Sequence, residues 1–209
     1  MTNAETKTKR APQQRAEETK TALLVTAIEM FSTLGYDGVS IRALETQAEV
    51  QRGAAAYHFG TKEDLWKRAI DRLLQRIIDA FQPLEQIILD LDEDARLRAV
   101  ITALVRYSAE APELNRLMVQ EGRYDSWRLD YILDSFTRGQ LEWSKDVLGL
   151  FSDPHTYYII IGSSTFVFDV EFECRKLFGV DPTTDEFIRT HAARVADLVL
   201  ATRATQGKG

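Results

Sequence analysis

Cysteine is almost absent from this chain of 209 residues, where Cys174 stands alone. A single thiol excludes an internal disulfide and suits a reducing compartment, so a cytoplasmic location is expected. Long apolar runs are missing as well. The stretch Ile159 to Val170 is broken by Gly162, Ser163, Ser164 and Asp169, short of the ~18 residues that cross a bilayer. The first residues are polar and charged, without the apolar centre of a secretory signal. Histidine is scarce too: His58, His155 and His191 lie far apart, and no Glu-x-x-His pair exists for a di-iron bundle. No glycine-rich phosphate loop follows a strand, and Cys174 has no base beside it. The chain reads as no enzyme, with neither metal nor cofactor.

Charge of one sign is also lacking where a histone-like binder would need it, since the net charge is −6. Its distribution says more than its total. Residues 1–68 carry ten Lys and Arg against nine Asp and Glu, whereas the rest carries 16 against 23. A near-neutral head on an acidic body permits phosphate contact at one end only.

Five prolines and 11 glycines are few enough to allow long helices, and 44% hydrophobic residues supply a substantial core. Residues 1–15 have almost no apolar content and hold Lys7, Lys9 and Arg10. They read as a flexible, mildly basic arm. Beyond it, Leu24, Ala27, Ile28, Phe31 and Leu34 recur at helical spacing up to a stop at Gly35. Ser40 caps a short second helix burying Ile41, Leu44 and Ala48, and a third short segment runs from about Gln51 to His58. Thr61 and Asp64 resemble a capping box for a longer helix that carries Leu65 to Phe81 and ends before Pro83. Further helices are expected near 93–110, 113–121, 126–149, 154–178 and 184–203. Asp153-Pro154 opens one of them, and Thr183 with Glu186 boxes the last. No convincing period-2 segment and no internal repeat of 20–50 residues is present. About nine helices and no sheet is the expected architecture: all-α.

Residues 51–57 read Gln-Arg-Gly-Ala-Ala-Ala-Tyr, with hardly a bulky aliphatic side chain. A helix with so small and polar a surface can enter a DNA major groove, although a short connecting helix has the same composition. The stretch from Leu23 to Leu65 settles the preference. Its Ala27, Phe31, Gly35, Ser40, Leu44, Ala48, Val50, Gly53, Tyr57-His58-Phe59 and Lys62-Glu63 resemble the DNA-binding domain of the TetR/AcrR family. The ending Tyr-His-Phe-Gly-Thr-Lys-Glu-Asp-Leu is the most specific part.

The resemblance implies a three-helix helix-turn-helix domain over residues 16–62 and a ligand-binding and dimerisation domain over 63–209. It places Arg42 toward groove or phosphate. Gln51, Arg52, Gly53 and Ala54 fall in the first turn of the recognition helix, Arg52 suited to a guanine and Gln51 to an adenine edge. Tyr57 and His58 match positions that touch the sugar–phosphate backbone, and for His58 a packing role is an equal reading. Lys62 and the free amides of its helix meet a phosphate. Phe59 reads as a core plug. Three residues depart from the family pattern: Glu49 replaces the usual turn glycine, Gln51 the usual Ser/Thr cap, and Ala55-Ala56 the common leucine–tyrosine pair.

The segment 154–178 is apolar on nearly every side, and 184–203 adds surplus apolar surface. Two such helices at the end of the sequence point to an intermolecular four-helix bundle, hence a homodimer, as in the family resembled. The resemblance further implies an apolar chamber in the body, here touched by Met118, Trp127, Tyr131, Phe136, Tyr158 and Phe168. Glu121, Arg128 and Asp169 are the polar groups nearby. The function implied is a ligand-responsive regulator: a repressor that leaves a palindromic double-stranded operator when a small apolar or aromatic effector binds. A protein that kept the fold for ligand or partner binding and lost DNA binding is the alternative.

Overall fold

A computed structural model describes residues 3–149 and 153–206. Its helices are α1 (Asn3–Gly38), α2 (Ile41–Gln47), α3 (Ala54–Phe59), α4 (Lys62–Ile88), α5 (Glu93–Glu110) and α6 (Glu113–Glu121). There follow α7 (Trp127–Ile132), a π-helical turn (Leu133–Thr137), α8 (Arg138–Leu148), α9 (Pro154–Asp169), α10 (Glu171–Phe178) and α11 (Asp185–Gln206). No strand occurs among the described residues, so the fold is all-α. Because α7, the π turn and α8 run on without a break, they form one helix, and the described residues hold ten.

Several helix starts follow from short-range chemistry visible in the sequence. The Ser40 hydroxyl accepts from Ala43 N at 3.1 Å, and Asp153 accepts from Thr156 N at 3.0 Å. Each satisfies an orphan amide of a first turn. Thr61 and Asp64 form the expected reciprocal box, with Asp64 N donating to Thr61 Oγ1 and Thr61 N to Asp64 Oδ2. Before α11 the cap is Thr184, whose Oγ1 accepts from Phe187 N at 3.3 Å, while Thr183 turns back onto Asp181.

Four expectations meet a different backbone. The span read as an arm is helical from Asn3 onward, and Met1 and Thr2 lie outside the described residues. Ala, Glu, Lys, Gln and Arg dominate it, and these residues pay little to be helical even with nothing to bury. Gly35 does leave helical space (φ 72, ψ 167), although α1 resumes to Gly38. Helix α4 passes through Pro83 to Ile88. The lost hydrogen bond costs about 3 kcal/mol, and the full burial of Ile88 offsets much of it. The segment 154–178 is two helices, parted at Val170 (φ −112, ψ 34).

The chain divides into two compact units between Leu73 and Leu74, inside α4 rather than at its start. In the first, Leu23, Ala27, Phe31, Leu44, Leu65, Trp66 and Ile70 are buried together. In the second, α5 supplies Leu97, Ile101 and Val105 to a core completed by Ile160 and Phe168 of α9 and Ile188, Ala192, Val195 and Val199 of α11. Arg96 ties four carbonyls there: its guanidinium donates to Ile88 O (3.0 Å), Leu89 O (3.4 Å), Leu91 O (3.1 Å) and Val147 O (2.7 Å). A cation suits helix C-termini, where carbonyls lack partners. No helix among the described residues is long and apolar enough to cross a membrane.

Candidate nucleic-acid interface and ligand chamber

Helix α3 has six residues, and of these only Ala55 is buried. With so little to bury, its position must be fixed by something other than apolar contact. The fixing group is Glu45 of α2. Its side chain is 4% exposed, and Oε1 accepts from both Gly53 N and Ala55 N at 3.0 Å. A carboxylate on the first amides of a helix is favoured by both hydrogen bonding and the helix dipole. It supplies the capping that the N-cap residue Gly53 has no side chain to give. Pattern reading missed Glu45 because its partners are eight and ten residues away, whereas capping signatures repeat at three.

The turn between α2 and α3 holds two left-handed residues, Glu49 (φ 54) and Gly53 (φ 88). At Gly53 an added Cβ would meet nothing within 4 Å, so conformation alone asks for glycine there. Glu49 adopts the same region with a side chain, the one non-glycine to do so among the described residues.

Gln51, Arg52 and Gly53 lie in the turn just before α3 rather than inside it, and all three are exposed. Ala54 opens the helix half-buried. Tyr57 is 84% exposed, with the half-buried His58 ring packed edge-on at 4.8 Å. Arg42 is exposed on α2. The Lys62 ammonium sits 4.1 Å above the Tyr36 ring, which itself stacks on Phe31 and meets Trp66 edge-on. That cation–π contact holds Lys62 at the start of α4. Phe59 is half-buried. These residues share one small unit, and what they present outward is polar, cationic and aromatic.

The second unit holds a partly open cavity of about 200 Å³. Met118 and Phe136 line it; Trp127, Tyr131, Tyr158 and Phe168 do not. On α9 the lining face is Tyr157, Ile160, Ile161 and Thr165, so Tyr158 is one helical step off and 71% exposed. Phe168 instead joins the core, edge-on to His191 at 6.1 Å. Trp127 lies under the Arg128 guanidinium, whose Nε donates to the buried Glu121 at 2.7 Å. On α9, apolar on nearly every side, the pattern gives no phase from which to choose between Tyr157 and Tyr158. Other walls come from Ile77 and Phe81 of α4, Leu104 and Tyr107 of α5, and Leu141 and Trp143 of α8.

Asp169 closes α9 beside this region. Burial pushes its carboxyl up to about 6, against the pull of Arg116 and a hydrogen bond from Asn115. A carboxylate at a helix C-terminus also faces the wrong end of the dipole.

The sequence profile of bacterial regulatory proteins of the tetR family matches residues 23–69. The HTH-type transcriptional repressor NicS of Pseudomonas putida is 29% identical over 110 residues, 52% of this chain and 50% of NicS. An HTH-type transcriptional repressor of Mycobacterium tuberculosis is 33% identical over 86 residues, 40% of this chain and 46% of that one. The chain thus spans about half the length of the curated relatives it matches. Among solved structures, a TetR-like transcriptional regulator from Rhodococcus sp. RHA1 superposes with a TM-score of 0.65 at 16% identity, covering 89% of this chain and 96% of that one. HlyIIR, a hemolysin II transcriptional regulator, gives a TM-score of 0.61 at 22% identity and covers 88% and 97%. Residues 23–69 therefore carry a TetR-family domain, as the sequence resemblance implied, and the chain has the fold of TetR-like regulators.

Proposed function

We propose that this chain is a DNA-binding transcriptional regulator, a repressor that acts as a homodimer on a palindromic operator and is released by a small, mainly apolar effector. One observation carries the reading: the short helix α3 is held by a buried carboxylate while its outer side, with the turn before it, presents Tyr57 and polar groups but no bulky aliphatic side chain. Arg52 and Gln51 read base edges, whereas Arg42, Tyr57, His58 and Lys62 position the unit on phosphates. Two repressors among the relatives support the direction of control.

A second copy covers the exposed apolar face of the carboxy-terminal helices. Phe166 is 62% exposed, and Tyr158, Ile159, Phe172, Phe178 and Leu198 are exposed with it. At Gly162 between them an added Cβ would meet nothing, so a partner helix can approach closely. Pairing two weak heads multiplies their affinity on a site with matching symmetry. The effector occupies the 200 Å³ cavity and favours a head spacing that no longer suits two major grooves.

Selection from a random duplex library with the purified chain tests the proposal. An inverted repeat with half-sites one helical turn or a multiple apart is expected. Recovery of unrelated sequences, or of none, contradicts it.

A further inference from the structure

The chamber is graded from a closed end to an open one. Its buried walls come from α5, α6 and α9, where Ile101, Leu114 and Ile160 are at most 8% exposed. The exposed lining residues are Ile78, Glu85 and Gln140, so the mouth lies between α4 and α8. A volume of about 200 Å³, slightly above the ~150 Å³ of a cavity that takes up benzene, fits one substituted ring.

Charge is distributed as unevenly as exposure. Glu85 is the single charged residue of the lining, and among the described residues nothing pairs with its carboxylate. No Lys, Arg or His among those residues lines the chamber. Arg96, just beyond α4, is engaged by four carbonyls. The pull of Arg76 on the Tyr107 phenol is opposed by Glu113. The mouth is therefore electronegative, on a body with 16 Lys and Arg against 23 Asp and Glu beyond residue 68.

Aromatic rings supply the third part. Phe81, Phe136, Trp143 and Tyr157 line the chamber half-buried, so each keeps some surface. The face of such a ring attracts a cation within about 6 Å of its centre. Rings and a free carboxylate act on a cation in the same sense, and neither helps an anion. A cation seated at the mouth also keeps part of its water, which avoids the cost of burying a charge at the closed end.

We propose that the chamber takes a single-ring organic cation, its ring among the apolar walls and its ammonium at Glu85 in the mouth. This rests on the ligand-response reading above and adds the charge of the effector.

Calorimetric titration of the full chain at neutral pH and low salt with 2-phenylethylamine, 2-phenylethanol and 3-phenylpropionate tests it without DNA. The three share a ring and a two-carbon arm and differ in charge. The amine should bind saturably, the alcohol about 3- to 10-fold more weakly, and the anion more weakly than the alcohol. Glu85→Gln should remove most of the amine's advantage and leave the alcohol unchanged; a residue with a purely structural role would shift all three together. On the parent chain, the same advantage should shrink in about 0.5 M salt, a comparison that does not depend on the variant. No saturation by the amine at about 5 mM, an alcohol or anion that binds as well as the amine, or an amine preference untouched by Glu85→Gln overturns the inference. Selective binding of the amine by a chain that selects no duplex would instead sink the regulator reading and leave this one standing.

Discussion

At the scale of single residues, the least comfortable backbone in the head is Glu49. A side chain in the left-handed region costs about 1–2 kcal/mol, and at φ 54 glycine would pay far less. Glu49→Gly should therefore stabilise the chain by about 1 kcal/mol, read as a higher urea midpoint. It should also tighten duplex binding at low salt by removing a negative charge next to Gln51. Asp169 makes a prediction of opposite kind. With its folded carboxyl at about 6 and the ordinary value at 3.8, the folded state holds a proton that the unfolded state has lost between pH 4 and 6. Stability from this group is present below that window and declines as pH rises through it. Asp169→Asn should remove the decline, so the difference in unfolding free energy between variant and parent grows from pH 4 to 6, by an amount on the order of 1–2 kcal/mol after solvent screening. A constant difference would contradict the assignment. Which residues were legible follows from range. Ser40, Thr61 with Asp64, and Asp153 act on amides three residues ahead, and local spacing reveals them. Glu45 and Arg96 act across turns and over as many as 51 residues, and no local pattern encodes that.

At the scale of elements, α2 and α3 form a pair in which one helix caps the other. Glu45→Ala would leave Gly53 N and Ala55 N without their acceptor. The expected cost is about 1–3 kcal/mol, with faster amide exchange concentrated in residues 53–57. Uniform loss of protection across the first unit would count against a capping role. Helix existence was largely readable, since the spans expected for α5 and α6 agree with the structure. Helix ends were less so. Pro83 reads as a stop, yet the burial of Ile88 carries α4 past it. Val170 carries no breaking signal of its own, and α9 still ends beside it. For α9 the trouble was phase: Tyr157 and Tyr158 are adjacent and equally apolar in pattern, but one lines the chamber and the other is exposed.

At the scale of the whole molecule, the surplus apolar surface of α9, α10 and α11 has to be covered if the account holds. Phe166→Glu places a charge in that face, away from both the chamber lining and the core. The variant should sediment as a folded monomer and lose most of its affinity for a two-half-site duplex. The family of the head was legible because residues 23–69 form a local, compact pattern; the lining of the chamber was not, because it is assembled from five helices far apart in sequence. The central claim is that α3 and the turn before it engage DNA. It is tested most directly by fluorescence anisotropy of the selected duplex across a salt series, for the parent and for Arg52→Ala. The account predicts binding by two chains per duplex, weakening steeply with salt, and a loss of roughly 1–3 kcal/mol with relaxed base preference in the variant. A parent that ignores duplexes at low salt, or an Arg52→Ala variant that binds and discriminates unchanged, contradicts it.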